Sequence, residues 1–253
     1  MTVRIEREGP LFVVSIDRPA ARNAVDGPTA TALAEALRVF SVEASARVLI
    51  LRGEGETFCA GADLRGFAEG RGNRIAPEGD APMGPSRMVL PKPSIAAIEG
   101  HAVAGGLELA LLCDLRVVAE DAVMGVFCRR FGVPLIDGGT VRLPRLVGLG
   151  RALDLVLTGR PVGATEAHEM GLANRIAPRG QAVEVARQLA LAIAAFPPRC
   201  MLSDRRSVYE GMDLALEEAM RRELELGVEV LSSGESLEGA TRFAAGEGRG
   251  GKF

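Results

Sequence analysis

Histidine is scarce in this chain, and its cysteines are not spaced for metal or redox work. Only His101 and His168 occur in 253 residues, and no G-x-S-x-G segment is present. That leaves little material for Ser-His or Cys-His nucleophilic catalysis. The four cysteines, Cys59, Cys113, Cys128 and Cys200, are far apart and form no C-x-x-C. A zinc site or redox pair is therefore not indicated, no metal is expected, and reduced thiols are expected. No sustained Lys/Arg run exists and the net charge is -3, so neither nucleic acid nor an anionic membrane is an expected partner. No apolar run approaches the roughly 18 residues of a membrane span. The N-terminal segment Met1-Thr2-Val3-Arg4-Ile5-Glu6-Arg7-Glu8 has charges where a signal peptide needs its apolar core, and a cytoplasmic location is expected.

What is present is the balance of an ordinary globular protein, 47% hydrophobic and 25% charged. The length suits one large domain, or one domain with a small appendage, that buries most of its apolar surface without disulfides.

The first half alternates short extended runs with helical ones, which predicts an α/β fold. Val3 to Glu8 and Leu11 to Ile16, broken by Gly9-Pro10, read as a β-hairpin. Asp26 followed by Pro28 marks a helix start, and Leu33, Ala36, Leu37 and Phe40 give that helix one apolar face. Arg47 to Leu51, Ser94 to Glu99, Asp114 to Ala119 and Val123 to Phe127 read as further extended pieces. Strand-to-helix passages fall near residues 51 to 62 and 98 to 105, where α/β folds commonly bind ligands. Between them, Gly66 to Pro85 is rich in Gly, Pro and charge, and reads either as a lid over a site or as a solvated surface insertion. From Arg151 onward the pattern is helical, with segments at Ala152 to Leu157, Gly163 to Met170, Gln181 to Ala195, Met201 to Tyr209, Met212 to Leu231 and Leu237 to Ala244. The tail from Gly246 to Lys252 has the glycine and lysine spacing of a phosphate loop, but no Ser or Thr follows the lysine and no strand precedes it.

One residue stands out. Glu108 lies in Ala104-Gly105-Gly106-Leu107-Glu108-Leu109-Ala110-Leu111-Leu112-Cys113, a run apolar on every helical face. A carboxylate buried there costs several kcal/mol unless something compensates. In a dry pocket its pKa rises toward neutrality, as a general acid or base working near pH 7 requires. Alternatively, near the third position of a helix opened by Gly105 and Gly106, it caps backbone N–H groups and complements the helix dipole. Burial favours its neutral form and the helix terminus its ionised form. His101, three residues before Ala104, is either in reach of a ligand or a satisfied structural histidine.

Phe58-Cys59-Ala60-Gly61-Ala62-Asp63-Leu64, the run from Lys92 to Ala110, Cys113-Asp114, Gly138-Gly139-Thr140, the run from Arg142 to Gly148, Leu157-Thr158-Gly159 and Gly171-Leu172-Ala173 together resemble the crotonase (enoyl-CoA hydratase/isomerase) superfamily. Asp17-Arg18-Pro19 and Arg22-Asn23-Ala24 also fit, so the resemblance covers nearly the whole chain. It implies a crotonase-like spiral of repeated ββα units over residues 1–195 and a helical trimerisation region over 196–253, in a homotrimer or a dimer of trimers. It also implies an acyl-CoA thioester substrate, with coenzyme A entering as part of the substrate and no tightly bound cofactor. The Ala62 and Gly105 N–H groups would form the oxyanion hole for the thioester enolate. Arg22, Ala24, Ala60, Asp63 and Leu64 would line the CoA-binding stretch, and Lys252 would reach phosphates.

Glu108 matches the first of the family's two hydratase glutamates, and the second position falls on Cys128. The activity implied is enoyl-CoA hydratase-like with an atypical second catalytic position. Decarboxylation, C–C cleavage, isomerisation and non-catalytic acyl-CoA binding stand as alternatives. Asp137 lies close to where several family members place a catalytic aspartate, and would supply the missing acid or base. Read from its own neighbours, it is a turn aspartate capping the helix near Gly138. Arg129 and Arg130 are either ligands for an acidic acyl group or CoA phosphates, or surface ion-pairing groups.

Overall fold

The structure, a computed structural model, describes residues 2–248. It begins with β1 (Val3–Glu8), β2 (Leu11–Ile16), α1 (Gly27–Val42), β3 (Val48–Gly53) and α2 (Leu64–Ala68). Next come β4 (Ser94–Ile98), β5 (His101–Val103), α3 (Gly105–Leu112), β6 (Leu115–Ala119) and β7 (Val123–Gly125). The remainder is α4 (Gly139–Val147), α5 (Leu149–Thr158), β8 (Val162–Gly163), α6 (Ala164–Glu169), β9 (Arg175–Ala177), α7 (Ala182–Ala195), α8 (Pro198–Gly211), α9 (Leu216–Ser232) and α10 (Glu235–Ala244). The fold is α/β, as its alternating pattern predicts.

The chain divides into two compact units with the boundary between Ile193 and Ala194. In the first, six strands form a sheet in the order β1-β2-β3-β4-β6-β9. The expected hairpin is its antiparallel edge, and every later pairing is parallel. The residues of β2 and β4 are all buried, which is why these segments read as apolar runs rather than as alternation. The α1 helix begins as expected, with Asp26 accepting Thr29 N–H at 3.1 Å and Leu33, Ala36, Leu37 and Phe40 buried. In the second unit the Glu235 carboxylate accepts the N–H groups of Arg199 and Cys200 at the start of α8, and Arg222 of α9 pairs with Glu210 of α8 at 2.6 Å. Among the described residues no helix is long and apolar enough to cross a membrane.

The passage from β4 to α3 contains a strand that sequence patterning did not separate. Gly100, at φ +53, turns the chain, and β5 then joins β7 and β8 in a second, three-stranded sheet. Cys59 brackets β5, donating its N–H to His101 O and accepting from Val103 N–H. Within the Gly/Pro-rich stretch residues 81–85 are buried, whereas residues 67–80 are exposed or half-buried.

Arg22 to Val25 runs beside Ala60 to Asp63. Ala60 N–H donates to Arg22 O, Val25 N–H to Gly61 O, and Asp63 N–H to Val25 O. Asn23 holds this loop from within. Fully buried, with the left-handed φ of +54 that asparagine tolerates, it accepts Arg18 N–H and donates to Glu54 O and Thr57 O. Asn23→Ala leaves these three backbone groups unsatisfied, and with about 1 kcal/mol or more at stake for each buried orphan the thermal midpoint is expected to fall by roughly 6–12 °C. A midpoint unchanged in a melting experiment would contradict that role.

Candidate active site

The two strand-to-helix passages meet at one cleft. Ala62 lies in an extended segment whose neighbours Gly61 C=O and Asp63 N–H both face Val25, so strand alternation turns the Ala62 N–H to the opposite side. Gly105 opens α3, where the first N–H groups have no intrahelical acceptor and carry the positive end of the dipole. Among the described residues, neither N–H has an acceptor. Ala62 and Gly105 both line the cleft, whose volume is about 340 Å³. The approach is close: a Cβ on Gly61 would stand 3.0 Å from Gly105 N, one on Gly105 would meet Met83 Sδ at 2.8 Å, and one on Gly106 would collide with Cys59 O. Ala104, immediately before, has φ +54, a conformation costing a non-glycine residue about 1–3 kcal/mol.

Every residue of α3 is buried. Glu108, the fourth helical residue, is 2% exposed and opens on the cleft. Its Oε1 accepts Asp137 N–H at 2.9 Å and Gly139 N–H at 2.8 Å. It therefore caps a helix, but that helix is α4 rather than its own. Burial pushes its carboxyl up to about 7, the Asp137 charge adding to the rise while the Gly139 and Asp137 N–H groups and Arg142 oppose it. In the contest between burial and helix terminus, burial wins.

Cys128, 7% exposed, lines the same cleft from the 3-10 turn Phe127–Phe131. Burial raises its thiol pKa and the nearby Glu108 charge adds to the rise, so it stands as a neutral thiol. Asp137, 4% exposed, also lines the cleft. The helix-capping reading of Asp137 is corrected here: α4 is preceded by Gly138 with no side-chain cap, and its first N–H is taken by Glu108. The Asp137 carboxylate instead accepts Met83 N–H at 2.8 Å and a short hydrogen bond from Ser86 Oγ.

Of the residues expected along the CoA-binding stretch, Ala60 and Leu64 line the cleft, whereas Arg22, Ala24 and Asp63 do not. Arg22 is exposed and Ala24 is buried. The Asp63 carboxylate caps α2 through Gly66 N–H and pairs with Arg18 at 2.9 Å, which holds its pKa below the usual range. His101 is exposed and outside the cleft lining. Arg129 and Arg130 are exposed and donate to the carbonyls of Val156 and Gly159 at the end of α5, where the last carbonyls lack helical acceptors. Lys252 and the end of the glycine-rich tail lie outside the described residues. Phe67, Asn73, Ile75, Pro82 and Met83 bring the Gly/Pro-rich stretch into the cleft wall. Met83, Ser86 and Arg142 carried no sequence signal, since their partners lie far along the chain.

Comparison with known proteins gives this geometry its family. Residues 6–249 match the enoyl-CoA hydratase/isomerase family model. The chain is 36% identical over 251 residues to enoyl-CoA hydratase EchA19 of Mycobacterium tuberculosis, covering 95% of this chain and 92% of that protein. It is 35% identical over 256 residues to carnitinyl-CoA dehydratase of Salmonella typhi, covering 96% and 95%. The crystal structure of enoyl-CoA hydratase EchA1 from Mycobacterium marinum superimposes with a TM-score of 0.90 at 34% identity, and that of an enoyl-CoA hydratase from Mycobacterium tuberculosis H37Rv with 0.91 at 36%, each alignment covering 96% of both chains. The chain is thus an enoyl-CoA hydratase-like acyl-CoA enzyme and belongs to the enoyl-CoA hydratase/isomerase, or crotonase, family.

Proposed function

We propose that this enzyme adds water reversibly across the Cα=Cβ bond of an enoyl-CoA thioester, with Glu108 as its one proton-carrying side chain. The reading rests above all on a buried carboxyl with a pKa near 7 sharing a cleft with two unclaimed peptide N–H groups. The Ala62 and Gly105 N–H groups hold the thioester oxygen and stabilise the negative charge it gains. Ionised Glu108 accepts a proton from water as the new O–Cβ bond forms and the alkene electrons move toward the thioester oxygen. As the enolate collapses, the Glu108 carboxyl returns that proton to Cα, so the elements of one water molecule are added. Cys128 faces the reaction as a neutral thiol that shapes the pocket. Coenzyme A arrives with the substrate, along the Arg22 to Ala24 and Ala60 to Leu64 stretch.

The cleft wall also bears on the acyl group. Phe67, Ile75, Phe127, Phe131, Val133 and Ile136 line it, and among the described residues its ionisable carboxyls are Glu108 and Asp137. Uncharged apolar acyl groups fit this surface, and anionic ones meet charge of their own sign. In the second unit Leu216, Met220, Leu224, Val228 and Leu231 form an exposed stripe along α9. This supports a helical trimerisation region over 196–253 and a homotrimer or dimer of trimers, and light scattering of the purified protein is expected to give a mass above that of one chain.

With crotonyl-CoA and longer enoyl-CoA esters the product is expected to be heavier by one water, as read by mass spectrometry. Loss of carbon dioxide would instead identify decarboxylation, and unchanged mass isomerisation. Glu108→Gln is expected to lower kcat by about 10²- to 10⁴-fold, and Cys128→Ala by less than about tenfold, because a neutral thiol carries no proton in this scheme. Hydration needs Glu108 ionised, so kcat/KM is expected to climb with pH and level off above about 7. A profile flat between pH 5 and 8 would remove Glu108 from the role of base.

A further inference from the structure

Asp137 sits in the cleft, yet the hydrogen bonds of its carboxylate lead away from Glu108. Its carboxylate Oδ1 takes Met83 N–H and Ser86 Oγ–H. Its backbone N–H goes to Glu108 Oε1, and its backbone carbonyl accepts Arg142. Arg142 closes the loop by donating also to Ser86 O at 2.7 Å. Ser86 is thereby held from both sides, through its hydroxyl by Asp137 and through its carbonyl by Arg142, and it is 1% exposed. The same carboxylate fixes Met83, whose Sδ occupies the space beside Gly105 that a side chain there would need.

We propose that Asp137 is a positioning residue, clasped by Ser86, Met83 and Arg142, that sets the orientation and charge balance of Glu108 and does not itself act on substrate. The Asp137 peptide presents one of the two N–H groups that orient Glu108, while the Asp137 carboxylate ties that peptide to the wall segment that packs on Gly105. One contact therefore registers the proton carrier with the oxyanion donor.

The electrostatics follow from who faces whom. Glu108 is surrounded by the Asp137 carboxyl, the Cys128 thiol and Arg142. Burial raises the pKa of Asp137, and Ser86 O–H, Met83 N–H, Arg87 and Arg142, which face it, oppose that rise by favouring its ionised form. A charged Asp137 makes ionisation of Glu108 harder, so removing that charge lowers the pH at which Glu108 ionises. Losing the Ser86 hydroxyl weakens the hold on the Asp137 charge and works in the same direction.

The inference refines the hydratase reading, and its test separates the two. Asp137→Asn preserves the shape of the clasp and removes the charge. By ¹³C NMR of the glutamate side-chain carboxyls, assigned with Glu108→Gln and read without substrate, the Glu108 midpoint is expected to fall by roughly one pH unit in Asp137→Asn. It is expected to fall in Ser86→Ala also and to return in Ser86→Thr, which restores the hydroxyl. In turnover, the rising limb of kcat/KM is expected to move with the midpoint, and Asp137→Asn is expected to keep kcat within about tenfold of the parent at high pH. An unmoved Glu108 midpoint in Asp137→Asn overturns the proposal even if Ser86→Ala fails to fold. So does a loss of kcat as deep as that of Glu108→Gln at every pH, which would make Asp137 a catalytic residue. Absence of hydration by the parent enzyme would sink the hydratase reading alone, since the NMR midpoints report on the clasp without turnover.

Discussion

The site depends on one oxygen atom. Oε1 of Glu108 receives the N–H groups of Asp137 and Gly139, and through them a helix starting 31 residues later is joined to α3. Without those donors a carboxylate in a helix buried on all sides would be an uncompensated cost. With them it is oriented, and burial still holds its pKa near 7. A hydrogen bond to an ionised acceptor contributes about 1.5–3 kcal/mol, enough to fix the side chain but too little to cancel its desolvation. The carboxyl is left between its two protonation states at neutral pH, as a proton carrier requires.

Capping a distant helix is not itself a catalytic signature in this chain. Glu99 accepts Gly180 and Ala182 N–H at the start of α7, and Glu235 does the same for α8. Both are only partly buried and neither lines the cleft. These three glutamates share one device, joining sequence-distant segments at an orphaned helix terminus. Glu108 differs through its surroundings: the same carboxylate is enclosed by apolar residues and faces Ala62 and Gly105 N–H across the cleft.

What the sequence made legible follows the reach of each interaction. The Gly9-Pro10 hairpin and the Asp26 cap of α1 involve neighbours in the chain, and local pattern located both. The buried glutamate was legible because α3 is apolar at every other position, which no surface helix tolerates. Its capping partner was not, because position 139 is distant and glycine carries no side-chain signal. Asp137 shows the same limit from the other side. Its turn-like setting pointed to a local cap, while its real partners, Met83 and Ser86, lie in a Pro/Gly-rich stretch more than 50 residues earlier. Arg116 was equally hidden: a strand pattern gave no sign that this guanidinium is fully buried and bonded to Leu172 O and Cys113 O.

The glycines around the Ala62 and Gly105 N–H groups answer to the same geometry. A preorganised N–H pair must be near enough to share one oxygen, so the Cys59 to Ala62 segment and the β5–α3 turn have to touch through their backbones. Gly106 packs on the Cys59 carbonyl and Gly61 on the Gly105 nitrogen, leaving no room for a Cβ at either contact. Ala104, the remaining link, carries the strain of a positive φ, and its N–H is tied to Gly125 O at 2.9 Å, which opposes relaxation of the turn. Strain is sustained where surrounding contacts over-determine the backbone, and here those contacts include the Glu108 N–H bond to Ala104 O at 3.2 Å. Ala104, which bears the strain, and Glu108 are thus joined one helical turn apart, so neither the Gly105 N–H nor the Glu108 carboxylate can shift without the other.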